Sequence, residues 1–121
     1  MNKEKVLVMG ASPKKDRYSN MAANMLLDYH HEIYLLGNHA GKIGNLEIKK
    51  EFPGDLKFDT VTLYLNKLNQ APYIDKILKL KPTRVVFNPG TENPEFEAML
   101  ESQGIEPIEA CTLVMLRTGQ W

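Results

Sequence analysis

The residues Val6-Leu7-Val8-Met9 form an unbroken apolar run that stops at Gly10. A strand with one wet face alternates apolar and polar side chains, so continuous apolarity predicts a strand covered on both faces, the habit of parallel sheets. A charged loop carrying Pro13 follows over residues 11–17. Beyond it Ala22, Met25, Leu26 and Tyr29 stand at helical spacing, with Ser19 or Asn20 as the capping side chain. Ile33-Tyr34-Leu35-Leu36 is then a second apolar run, ending at Gly37. Strand, helix and strand within about 30 residues have the size of a βαβ unit.

The alternation continues. Residues 37–60 are irregular, with Gly37, Gly41, Gly44 and a Pro53-Gly54 turn, and no helix is expected there. Residues 61–65 are the third strand expected. Ile74, Ile77 and Leu78 mark a helix that ends before Pro82. Arg84-Val85-Val86-Phe87 is the fourth strand. Asn93-Pro94-Glu95 opens the next helix with a capping side chain, a proline in the first turn and acids facing the helix dipole; Gly104 closes it. Residues 105–108 make a short fifth strand, and residues 111–116 a final helical turn or two. The pattern predicts an α/β fold, a Rossmann-like parallel sheet of about five strands with helices on both faces.

Bulk properties narrow the function. The 121 residues suit one domain spanning 1–121, and 43% hydrophobic with 25% charged residues is ordinary for a globular chain. Fifteen basic residues balance fifteen acidic ones, so no global basic field invites nucleic acid, and any anion must be held by a local site. The single cysteine, Cys111, excludes an internal disulfide and suits a cytoplasmic setting. The first apolar run is too short for a signal peptide core, and nothing approaches the ~20 apolar residues of a membrane span.

Ligands of open α/β sheets collect beyond the carboxyl ends of the strands. Those ends are Gly10-Ala11-Ser12, Gly37-Asn38, Tyr64-Leu65 and Asn88-Pro89-Gly90. The first follows a buried strand and runs into a helix start, where free N–H groups hold phosphate oxygens. Ser12 adds a hydroxyl, and Lys14, Lys15 and Arg17 add charge; a plain turn with a solvated basic loop is the bland alternative. Gly41-Lys42-Ile43-Gly44 taken alone reads first as a solvated glycine hairpin, while its position just after the second strand suits a phosphate or adenosine contact.

The dinucleotide fingerprint is missing. No second and third glycine follow Gly10 in G-x-G-x-x-G spacing, and Gly37-Asn38-His39 stands where an acid would hold a ribose hydroxyl. Catalytic groups are sparse. His30 and His31 suit a helix end, His39 has no carboxylate or serine partner in view, and Glu92, Glu95 and Glu97 serve helix polarity. No ligand spacing for a metal is present, and Cys111 reads as a small core or half-buried residue.

The loops together resemble a family of small single-domain CoA-binding proteins, similar to the nucleotide-binding domain of succinyl-CoA synthetase α subunits. The resemblance rests on Val8-Met9-Gly10-Ala11-Ser12, Arg17-Tyr18-Ser19, Gly37-Asn38, Gly41 with Gly44, residues 88–93, and Glu109-Ala110-Cys111-Thr112. It implies CoA lying across the strand ends. Gly10, Ala11, Ser12, Arg17 and Ser19 would meet the phosphates. Gly37, Asn38, Lys42 and Ile43 would border the adenosine, and Tyr64, Asn88, Pro89 and Gly90 the pantetheine arm. The family often carries Asn-Pro after its second strand, where this chain has Gly37-Asn38-His39. The phosphohistidine segment and second domain of the synthetases have no counterpart here, so synthetase activity does not transfer.

The expectation is therefore a protein that binds CoA or acyl-CoA without catalysis, as a carrier, sensor or regulatory module. The competing classes are a small NAD(P)- or nucleotide-dependent enzyme of Rossmann type, and a scaffold with a vestigial pocket. Neither nucleic acid nor membrane is expected as a partner.

Overall fold

The computed structural model describes residues 2–121. The chain runs β1 (Lys5–Met9), α1 (Tyr18–Asp28), β2 (Glu32–Leu36), β3 (Lys42–Ile43), β4 (Leu46–Lys49), β5 (Thr60–Leu63) and α2 (Lys67–Gln70). A 3-10 turn (Ala71–Tyr73) leads into α3 (Ile74–Leu80), followed by β6 (Arg84–Phe87), α4 (Pro94–Ser102), β7 (Glu106–Glu109) and α5 (Thr112–Arg117). The strands form one seven-stranded sheet in the order β3-β4-β2-β1-β5-β6-β7. All neighbours are parallel except the β3–β4 hairpin.

β1 explains its own composition. Leu7 and Met9 face a cluster with Ile77 of α3 and Phe96 and Leu100 of α4. Val6 and Val8 face the opposite cluster, with Ala23 and Leu26 of α1 and Leu116 of α5. Helices on both faces leave the central strand no wet side, and all four residues are fully buried. β1 sits between β2 and β5, so the chain leaves it on one side through α1 and returns to its other side at β5. That reversal is a switch point, where loops diverge and leave a crevice.

The α/β class agrees with the sequence, while the sheet has seven strands rather than about five. The additional pair is β3–β4, held by the Lys42–Glu47 and Ile43–Leu46 pairs around Gly44, whose φ is +59°. The third strand expected over residues 61–65 ends at Leu63: Tyr64 N–H still donates to the Met9 carbonyl at 2.8 Å, and the chain then turns to the α2 cap at Asn66. α1 starts at Tyr18, with Arg17 rather than Ser19 or Asn20 at the cap position. Asn20 instead donates its side-chain N–H to the Ser12 carbonyl at 3.0 Å, pinning the β1 loop to the helix. Among the described residues, no helix is long and apolar enough to cross a membrane.

Candidate ligand-binding cleft

The loops at the carboxyl ends of β1, β2, β5 and β6 surround a cleft of about 740 Å³, within the range of small-molecule sites. Its floor is built by close backbone approach. Gly10 has φ +89°, and a Cβ there would stand 2.9 Å from the Tyr64 carbonyl carbon and oxygen. A Cβ on Gly37 would collide with the Ala11 carbonyl oxygen. Both glycines let three loops meet at the switch point, a packing need that precedes any ligand contact.

The N–H groups of Gly10 and Ala11 both donate to the Leu36 carbonyl at 2.9 Å, so neither is free for an anion. What this end of the cleft offers comes from farther along the loop. Ser12 is half-buried, with its Oγ accepting from Lys14 N–H at 3.2 Å. The first N–H groups of α1, on Tyr18 and Ser19, lie where a helix has no carbonyl of its own to bind them. No acid stands in that first turn. Ser19 is buried yet lines the cleft, and Lys14 and Arg17 line it as exposed residues. Neither cation takes part in an ion pair among the described residues.

The rest of the lining has no negative charge. Leu36, Gly37, Asn38 and His39 form one wall at the end of β2, and Tyr64, Pro89, Gly90 and Thr91 form part of another. None of the described lining residues is Asp or Glu. The Tyr64 ring packs against the α1–α5 cluster, and its hydroxyl is buried without a hydrogen bond among the described residues. Burial pushes its ionisation well above the usual tyrosine range. The phenol is therefore neutral at all ordinary pH.

Three residues anticipated at the site stand elsewhere. Asn88 is buried, donating to Thr62 Oγ1 at 2.7 Å and to the Leu63 carbonyl at 2.8 Å. Its carbonyl oxygen accepts from Thr112 N–H at 2.9 Å, so the side chain ties β5, β6 and α5 together beneath the cleft. Ile43 is packed in the core against α1-side residues, and Lys42 is exposed on β3 outside the lining. Cys111, a free half-buried thiol, caps the start of α5 and is not among the lining residues. Among the described residues no cluster of His, Cys, Asp or Glu has the makings of a metal site.

The α2 segment adds lining residues that the sequence reading left out: Asn66, Leu68, Asn69, Pro72 and Tyr73. Their signal was present, since Asn66 caps α2 by accepting from Asn69 N–H at 2.9 Å, a capping side chain three residues ahead of its donor. Gln70 then anchors the segment. Its Nε2 donates to the carbonyls of Leu65 and Thr91 at 2.8 and 2.7 Å, and its Oε1 accepts from Asn93 Nδ2 at 2.9 Å. A fully satisfied buried network of this kind holds one rim of the cleft rigid.

A parallel sheet with a crevice at its switch point, rimmed by cations and a helix start, defines a Rossmann-like nucleotide-binding fold. Residues 4–117 match the model of the CoA binding domain, and the chain belongs to that family. It is similar over 100% of both chains to a crystal structure of an uncharacterized protein, at 44% identity and a TM-score of 0.96. Two further structures share the fold. A protein redesigned for binding is 18% identical, covering 99% of this chain and 87% of the other, with a TM-score of 0.85. A protein from Thermus thermophilus is 19% identical, covering 98% and 91%, with a TM-score of 0.83. No curated protein matches the sequence.

Proposed function

We propose that residues 1–121 form one domain that holds CoA or an acyl-CoA in the switch-point cleft and does not turn it over. The observation that carries this reading is the sign of the lining. In a chain of zero formal net charge, the cleft contains Lys14 and Arg17 and no carboxylate among its described residues. CoA is a polyanion with three phosphate groups, and such a cleft is matched to it. Ser12, Arg17 and Ser19, with Lys14, meet the phosphates through a hydroxyl pair, a planar guanidinium and the start of α1. Gly37, Asn38 and His39 border the adenosine. Tyr64, Pro89 and Gly90 flank the pantetheine arm, above a floor of Gly10 and Ala11.

The absence of turnover follows from the groups available. His39 is exposed and has no carboxylate partner among the described residues, and Ser12 Oγ has only the Lys14 backbone beside it. Among the described residues lining the cleft, no nucleophile stands with a base in hydrogen-bond reach. A carrier, sensor or regulatory module in the cytoplasm fits this better than an enzyme. An NAD-dependent enzyme is disfavoured by Asn38 and His39, where an acid would receive the ribose.

Mass spectrometry of the small molecules released on denaturing the purified protein tests the ligand, together with a thermal shift. CoA at 100 times its Kd adds ~2.7 kcal/mol to a protein that binds it only when folded, which raises the melting midpoint by several degrees. A larger shift with NAD than with CoA would overturn the reading.

A further inference from the structure

The two most exposed large apolar side chains among the described residues are Leu68, 81% exposed, and Tyr18, 70% exposed, and both line the cleft. Isolated apolar side chains on a surface need no explanation. These two are not isolated, because they stand over one crevice from opposite faces of the sheet. Tyr18 begins α1, whose buried residues pack in the cluster on one face. Leu68 lies on α2, which leads through the 3-10 turn into α3 on the other face.

The lining is divided by polarity. Hydroxyls and cations gather near Ser12, Arg17 and Ser19. Around Leu68 the lining is Leu65, Pro72 and Tyr73, interleaved with the amides of Asn66 and Asn69, and Pro89 joins it from the β6 loop. Tyr73 is braced from outside the cleft by Phe52, whose ring stacks on it at 6.1 Å and 28°. The Gln70 network fixes the backbone of the same segment. This end therefore offers a held wall that is uncharged and mainly apolar. The cation on α2, Lys67, is already paired with Glu95 at 3.0 Å, and it is not among the lining residues.

A cleft that is cationic at one end and apolar at the other fits an amphiphile with a charged head and an uncharged apolar tail. We propose that the preferred ligand is a CoA thioester with an apolar, uncharged acyl group, which lies on the Leu65–Pro72 wall and under Leu68. This rests on the CoA reading above and names the ligand class within it. Free CoA leaves Leu68 in water. A dicarboxylic acyl group such as succinyl would set a carboxylate against a wall whose own lining holds no cation, Lys76 being held outside it over the Phe52 and Tyr73 rings, at a desolvation cost.

The test is isothermal titration of CoA, acetyl-CoA, hexanoyl-CoA and succinyl-CoA into the full chain and into Leu68→Asn, which should fold because the side chain is exposed. Each methylene withdrawn from water is worth about fourfold in affinity. Even with partial burial, hexanoyl-CoA should bind at least ~10-fold more tightly than acetyl-CoA, and succinyl-CoA no better than CoA. Leu68→Asn should cut the hexanoyl advantage over acetyl-CoA by at least ~3-fold. Equal affinities for CoA and hexanoyl-CoA, or a hexanoyl advantage that survives Leu68→Asn, would overturn the inference and leave CoA binding standing. Failure of all four to bind would sink the CoA reading itself.

Discussion

Asn88 and Thr62 are joined by a buried hydrogen bond of 2.7 Å between the ends of two neighbouring strands, and Thr62 Oγ1 lies 2.8 Å from Thr112 Oγ1. The same asparagine holds the Leu63 carbonyl and receives Thr112 N–H, so its amide meets three elements. Asn88→Ala would leave a buried carbonyl and a buried N–H without partners. The expected cost is about 1–3 kcal/mol of folding stability. Chemical denaturation without ligand should show it. Loss of CoA affinity at unchanged stability would instead mean that Asn88 touches the ligand.

Gly37 and Ala11 set a second prediction. A Cβ at residue 37 collides with the Ala11 carbonyl oxygen, which is backbone and cannot swing aside. Gly37→Ala must therefore push the β1 and β2 ends apart, widening the floor of the cleft. Overpacking of this kind costs about 1–3 kcal/mol, and the melting midpoint should fall by several degrees. A midpoint equal to wild type would show that these loops have slack.

The apolar core of the fold was legible in the sequence because burial there is two-sided: Val6 to Met9 admit no other placement once helices cover both faces. The β3–β4 hairpin was not, since its first strand is two residues long and too short to display any period. α2 escaped for a related reason. A four-residue helix with Leu68 exposed has no apolar face to repeat. At the cleft, Ser12, Arg17 and Ser19 could be singled out because they follow the end of a buried strand, where open α/β sheets leave a crevice. Asn88 was harder, because a polar residue at a strand end looks the same in sequence whether it faces a ligand or knits loops from below.

His31 lies at the opposite end of the sheet and carries a pH prediction. It is 3% exposed; its Nδ1 accepts Glu4 N–H at 3.0 Å, and its ring lies 6.1 Å from that of Trp121. Burial holds its pKa below the usual 6.5, opposed by the Glu4 charge and reinforced by Arg84 and His30. The folded state therefore binds fewer protons than the unfolded one just below that value. The associated stability is full above pH 6.5 and is lost as pH falls from there toward the lowered folded value. Melting midpoints at about pH 7.5 and about pH 5.5 should fall further apart in the wild type than in His31→Gln. Parallel losses in both proteins would assign the acid sensitivity elsewhere.

Arg17 bears most directly on ligand binding. It is exposed, caps α1 without a side-chain hydrogen bond, and takes part in no ion pair among the described residues, so folding should hardly notice its removal. In the proposed complex its guanidinium would grip a phosphate with two charge-assisted bonds, worth ~1.5–3 kcal/mol together. Isothermal titration of CoA into wild type and Arg17→Ala, at low and high salt, is the decisive measurement. The cleft predicts binding by the wild type, a roughly 10- to 150-fold loss in the variant at low salt, and a smaller gap at high salt. Wild-type affinity in Arg17→Ala, or no CoA binding by either protein, would contradict it.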